Sequence, residues 1–224
     1  MADANQVAHF TTPTAILSFP HLREPKPVAV GQPPKYSAAL IFDPRNFGQK
    51  DLVRWNTLRK AALDAFIEKH GEEFVESHEE FRVDRDFNWP IIDARKKAKF
   101  DGFEPGRFYI SAKADERFVP PLGQVVMKDG VPRVQRTEDL SLFYPGAIVR
   151  AKVSVWAYDN VQKGVRYNLE GLVHLTHGEK LGGGQRDIED QFEDADFSDM
   201  TDQLANADDE IDVDLLVFYM LDGL

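Results

Sequence analysis

Residues 147–158 read AIVRAKVSVWAY. A strand turns successive side chains to opposite faces, so the parity of this stretch separates interior from exterior. The odd positions are Ala147, Val149, Ala151, Val153, Val155 and Ala157, apolar throughout. From Arg150 onward the even positions are Arg150, Lys152, Ser154, Trp156 and Tyr158. One face suits the inside of a sheet closed on a core. The other sets cations beside aromatic rings.

The same sorting works outward from there. In residues 107–113, RFYISAK, parity sends Phe108, Ile110 and Ala112 inward and leaves Arg107, Tyr109, Ser111 and Lys113 outside. In residues 165–175 it sends Val165, Tyr167, Leu169, Val173 and Leu175 inward, and Arg166, Asn168 and His174 outward. TAILSF (14–19) and KYSAALIF (35–42) are two more short apolar runs bounded by proline or glycine. Between them Pro20, Pro25, Pro27, Pro33 and Pro34 predict an extended, mobile loop. Residues 50–80 change to helical period, with Leu52, Trp55, Leu58, Ala62 and Phe66 three or four apart and Gly71 interrupting the run. Residues 81–105 read as a loop. The expected fold is mainly β, with five principal strands and an α-helix inserted between the second and third.

A chain of 224 residues, 42% hydrophobic, can bury one substantial core. The absence of cysteine excludes disulfide scaffolds, Cys-ligated zinc and thiol catalysis, and suits a reducing cytoplasm. The opening MADANQVAHFTT lacks the charged and apolar regions of a signal peptide, and residues 215–221 fall short of the ~20 needed to span a bilayer. A soluble intracellular protein with no membrane partner is expected. Its charge is unevenly divided. The total is −11, yet residues 185–224 hold one basic side chain, Arg186, against fourteen acidic ones and carry −13. Residues 1–184 therefore carry +2, a mildly basic body followed by an acidic tail.

Cations beside exposed rings are what a single-stranded nucleic acid needs. Phosphates attract the cations, and unpaired bases present flat faces that stack on Phe, Tyr and Trp. A duplex would engage the cations but leave the rings idle. The alternative packs Trp156 and Tyr158 into a second layer, under the helix or in a homodimer interface. Enzyme signatures are weak. LGGGQR lacks the lysine of a phosphate loop, and no G-x-S-x-G or H-E-x-x-H is present. His174 and His177 should point to opposite faces, and Asp84 and Asp86 sit in a mixed-charge run. A metal-dependent nuclease would draw on Asp93 with Lys96 and Lys97, or on Glu170. An assembly protein that recruits partners through its tail is the third class. No cofactor and no metal is expected.

The order TPTAILSFPHL, KYSAALIF, a long helix, GRFYISAK, YPGAIVRAKVSVWAYDN, GVRYNLEGLVHL, LGGG and an acidic tail resembles the tailed-phage single-stranded DNA-binding proteins. It is more closely similar to a phage branch catalogued as a domain of unknown function. The likeness spans residues 10–184 and then the tail. It implies an OB-fold, a five-stranded barrel over residues 1–184, followed by a flexible acidic tail at 185–224. It also implies non-catalytic coating of DNA in phage replication and recombination, in the cytoplasm of the infected bacterial host. The tail would recruit replication or recombination proteins. At the matching segments it implies DNA contacts by Arg107, Tyr109 and Lys113, and by Arg150, Lys152, Trp156 and Tyr158. In the loop between helix and strand it adds Trp89, Lys96, Lys97, Lys99, Phe100 and Phe103. Such proteins tend to finish on an aromatic residue, whereas this chain continues into DLLVFYMLDGL. Phe218 and Tyr219 could take that role, or the apolar segment could form a short helix folded onto the body.

Overall fold

The alternation at residues 147–158 governs the architecture. The structure, a computed structural model, describes residues 8–27, 31–76 and 87–182. Among these the chain runs β1 (His9–Thr11), β2 (Ala15–Pro27), β3 (Pro34–Phe42), α1 (Gln49–His70), α2 (Glu72–Glu76), β4 (Phe87–Asn88), β5 (Ile92–Asp93), β6 (Phe108–Asp115), β7 (Leu122–Lys128), β8 (Val131–Arg136), β9 (Ile148–Asp159) and β10 (Lys163–Thr176). Short 3-10 turns lie at Pro44–Asn46, Ala94–Lys97 and Leu140–Leu142. The protein is mainly β with one main helix. The acidic tail, and with it Phe218 and Tyr219, lies outside the described residues, as do Asp84 and Asp86.

The five strands expected from sequence are β2, β3, β6, β9 and β10, and their pairings form a ring. β9 pairs with β2, β2 with β3, β3 with β6, β6 with β10, and β10 with β9 again. All these pairings are antiparallel except β6 with β10, where Ala112 faces Tyr167 and Lys113 faces Asn168. Closing the ring pairs strand edges that would otherwise lie open. Parity then decides the core. Ala15, Leu17, Ala38, Leu40, Phe42, Ile110, Ala112, Val149, Val153, Tyr167 and Leu169 are buried together. The helix adds Trp55, Leu58, Ala62 and Phe66, the apolar stripe of its 3.6-residue period. Leu52, at the head of that stripe, stays exposed in the first turn. The Tyr167 hydroxyl donates to the Leu58 carbonyl at 2.8 Å and ties the helix to the ring. Gly71 (φ 86) closes α1 through its N–H to the Ile67 carbonyl.

Four features differ from the sequence expectation. The proline-rich segment is not simply a loop: β2 runs to Pro27 and β3 begins at Pro34, with Lys26 opposite Lys35. Pro20 and Pro25 fall where the β2–β3 register is broken, between Ser18 and His21 and again before Lys26, while Pro27 and Pro34 face each other at the end of the ladder. A hairpin, β7–β8, stands between β6 and β9. Its turn, Asp129 (φ 52) and Gly130 (φ 74), has the two positive φ angles that an Asp-Gly type I′ turn requires. In β10 the register shifts between Leu169 and Gly171, so Glu170 is an extra residue against β9. Beyond that bulge the faces exchange: Leu172 and His174 are buried, while Val173 and Leu175 are only half-buried on the outer side. Finally, His174 and His177 do not point apart, since their rings meet at 5.0 Å beside Phe143 and Tyr144.

Candidate nucleic-acid interface

A second, smaller cluster forms on the outside of the ring. Residues 94–103 fold back over β3 and β6, so that Ile41, Ala94, Phe103 and Tyr109 are buried together, with Ile16, Ile92 and Leu181 against them. Local chemistry fixes this fold-back. Asp93 caps the 3-10 turn by accepting from the Arg95 N–H at 2.8 Å, and the Ala94 N–H donates to the Arg107 carbonyl. Gly102 takes φ 85, and a Cβ there would strike Leu181. Arg107 donates to the Gly102 carbonyl at 3.0 Å and pairs with Glu104 at 3.1 Å and Asp43 at 3.6 Å.

The fold-back brings lysines and rings together. The Lys97 ammonium lies 5.0 Å from the ring centre of Phe19, 5.5 Å from Phe103 and 4.8 Å from Tyr109. Lys99 lies 5.0 Å from Phe100. Phe19 and Phe100 meet edge to face at 5.1 Å, and Phe103 touches both. Phe19 (39% exposed) and Phe100 (40%) form the outer layer, and Phe103 (2%) and Tyr109 (5%) the inner one. Phe19 holds a left-handed backbone (φ 44) at the break in the β2–β3 register. For a bulky residue that conformation is strained, as is common at ligand sites.

Next to this cluster, Lys113 on β6 is half-buried among cations. Burial, then Lys35, Arg166 and Lys97, holds its ammonium below the ordinary lysine value, and burial alone lowers Lys97. Burial also raises the Tyr109 phenol. Arg166 stands opposite Trp156, whose indole is 52% exposed. The outer face thus runs from Phe100 and Phe19 through Lys97, Lys113 and Arg166 to Trp156, across the adjacent strands β6, β10 and β9. A phosphate beside Lys113 and Lys97 would restore their pKa values, so binding an anion takes up protons wherever the free lysines are partly neutral. Affinity should be full below the lowered lysine pKa of the free protein and fall as pH rises through it. Titrating the affinity for an anionic strand between neutral and alkaline pH checks this, and Lys113→Arg, charged throughout, should flatten the fall.

The structure brings together Lys97, Lys99, Phe100, Phe103, Tyr109 and Lys113 from the expected set, and Lys96 is exposed on the same turn. Two of them have a different character from the one expected. Tyr109 and Phe103 do not stand free to stack; the fold-back covers them, and they support the outer rings. Arg107 and Arg150 are held by acidic partners. Arg150 donates to Thr14 at 2.8 Å and to Asp51 at 3.2 Å, where Asp51 also holds Arg54 and the Thr14 N–H. Trp89 packs beside Phe87 against the main core. Tyr158 lies over its cross-strand neighbour Gly164, which has no room for a Cβ beneath that ring. Lys152 is exposed further along β9. Arg166, outward on its strand as parity requires, completes the patch together with Phe19 and Lys35, which parity alone does not mark as site residues.

The carboxylates a nuclease would draw on have protein partners among the described residues. Asp93 is engaged by Arg95 at 2.7 Å and Glu170 by Ser154. Among the described residues no three His, Asp or Glu side chains gather as metal ligands. Nor is any described helix long and apolar enough to cross a membrane.

A small ring of strands with cations and exposed rings on one outer face has the make-up of a protein that holds single-stranded nucleic acid. The chain belongs to the family of the Enterobacter phage Enc34 ssDNA-binding protein, whose model matches residues 9–204. It is also 26% identical, over 196 residues, to protein p50 of Acyrthosiphon pisum secondary endosymbiont phage 1, covering 85% of this chain and 95% of that one. Two solved structures of the bacteriophage Enc34 single-stranded DNA-binding protein share the fold. The C-terminal truncation superposes with a TM-score of 0.54 at 19% identity, covering 77% of this chain and 87% of that one. The complex of that protein with ssDNA gives 0.51 at 19% identity, over 78% and 89%.

Proposed function

We propose that this protein binds single-stranded DNA without catalysis and without marked sequence preference, across the outer face of an OB-type barrel. The observation that carries the reading is the layered patch of Phe19, Phe100 and Lys97, continuous with Lys113, Lys35, Arg166 and Trp156. Stacking on a ring is sequence-tolerant because every base has a flat face, and phosphate neutralisation is blind to sequence. Family membership supports the same reading. The body at 1–184 coats strands exposed during phage replication and recombination in the host cytoplasm. The tail, 185–224, acts as a tethered polyanion that moderates DNA binding and recruits replication or recombination proteins.

A mobility-shift comparison of single-stranded and duplex DNA tests this. If Lys35, Lys97, Lys99, Lys113 and Arg166 each neutralise a phosphate, the single-strand log K should fall against log salt with a slope of about −3.5, from ~0.7 counterions per phosphate. The labelled strand should stay intact when Mg²⁺ or Mn²⁺ is added. A salt-independent affinity, or shortening of the strand, would refute the proposal.

A further inference from the structure

The outer face of β9 and β10 does not stop at Trp156. Towards the far end of the same strands it deepens into a groove of about 600 Å³, within the ~300–1,000 Å³ usual for ligand sites. The bulge at Glu170 makes its floor by turning Val173 and Leu175 outward. The β7–β8 hairpin makes its wall through Val125 and Val134, which face each other across the hairpin. Gly123 keeps the wall thin, since a Cβ there would lie 3.0 Å from Val134 Cγ1. Arg136 and Lys152, both exposed, stand on its rim, and Arg150 lies deeper with Asp51 as partner. Glu170 is the acidic group of the lining, held by the Ser154 hydroxyl at 2.5 Å.

We propose that this groove is a second single-strand subsite, taking the DNA as it leaves the Phe–Lys patch. The inference rests on the single-strand reading above. Two observations choose the occupant. The first is continuity: Lys152, Ser154 and Trp156 alternate on one face of β9, with no extra residue in that strand, so the groove and the patch are ends of one track. The second is charge: with Arg150 paired to Asp51, the lining still carries the exposed Arg136 and Lys152 against the single carboxylate of Glu170. Bases then lie against Val125, Val134, Val173 and Leu175, with phosphates on Arg136 and Lys152. An acidic or neutral partner segment would not need the track to continue.

The two subsites predict a dependence on strand length. Full-length protein is titrated with labelled oligothymidylates of about 4 and about 16 nucleotides, the span of one such barrel. Val134→Glu and Arg136→Glu alter exposed side chains on the groove, whereas Lys128→Glu makes a comparable charge change at the hairpin end, outside the lining. Circular dichroism checks that each variant is folded. The groove variants should weaken the long oligomer about tenfold or more and leave the short one unchanged, and Lys128→Glu should do markedly less. Glu170→Gln should tighten the long oligomer a few-fold. Equal losses on both lengths, losses no larger than with Lys128→Glu, or no loss at all would overturn the subsite. A change in sedimentation without a change in DNA binding would make the groove a contact between copies and overturn it too. If the unaltered protein bound neither length, the single-strand reading itself would fall.

Discussion

Alanine in place of Phe19 or Phe100 should weaken single-strand binding by about 1–3 kcal/mol for each ring lost, roughly 5- to 150-fold, with little effect on folding. Both rings stand on the surface, so removing either takes away a stacking platform and little core. They touch each other at 5.1 Å, so the double variant should lose less than the sum of the two. The inner ring behaves differently. Phe103 is buried, so Phe103→Ala should cost stability in the ~3–5 kcal/mol range for large-to-small core changes. It should loosen DNA binding only indirectly, by releasing residues 94–103. Fluorescence titration with an oligothymidylate, paired with thermal melts, separates the two behaviours. Unchanged affinity in both outer-ring variants would return Phe19 and Phe100 to a packing role.

Truncation after Gly184 should have the opposite sign. It removes a net −13 and leaves a body of +2. A tethered segment acts at an effective concentration near ~1 mM, so its removal should tighten binding about tenfold or more at low salt. The gain should shrink as salt screens the competition, within a Debye length of ~8 Å at physiological ionic strength. Duplex binding should rise with it, because the competition is electrostatic and indifferent to base stacking. Equal affinity with and without the tail at low salt would reject this role.

Much of the architecture is legible in one stretch. The alternation from Ala147 to Tyr158 specifies a strand with a buried face, and the same parity places Ile110, Ala112, Val165, Tyr167 and Leu169 correctly. The stripe at Trp55, Leu58, Ala62 and Phe66 is equally plain, because helical period and burial coincide there. Parity fails beyond Glu170, where one extra residue reverses the faces without any change of composition. The β7–β8 hairpin carries a readable Asp129–Gly130 turn between two short runs.

The site is half legible, for a different reason. Charge and aromaticity pick out residues 95–113, but they do not say which rings end up covered. Tyr109 does face outward from the ring of strands, as alternation requires; what covers it is a fold-back held by Arg107, Glu104 and Gly102. Arg107 and Arg150 look like free cations in sequence, yet Arg107 pairs with its neighbour Glu104 and with distant Asp43, and Arg150 with distant Asp51. Phe19 is conspicuous only once its backbone angle and its contact with Lys97 are known. The folded backbone decides each of these cases, in part through pairings far apart along the chain, and a single sequence does not display it.

The central claim is that DNA lies on the face running from Phe100 and Phe19 to Trp156. Photo-crosslinking of a 5-iodouracil oligonucleotide to the full-length protein, with the attachment sites mapped by mass spectrometry, tests it directly. Crosslinks concentrated at Phe19, Phe100 and Trp156 are predicted. Crosslinks confined to α1 or to the rest of the ring, with those three aromatics untouched, would contradict it.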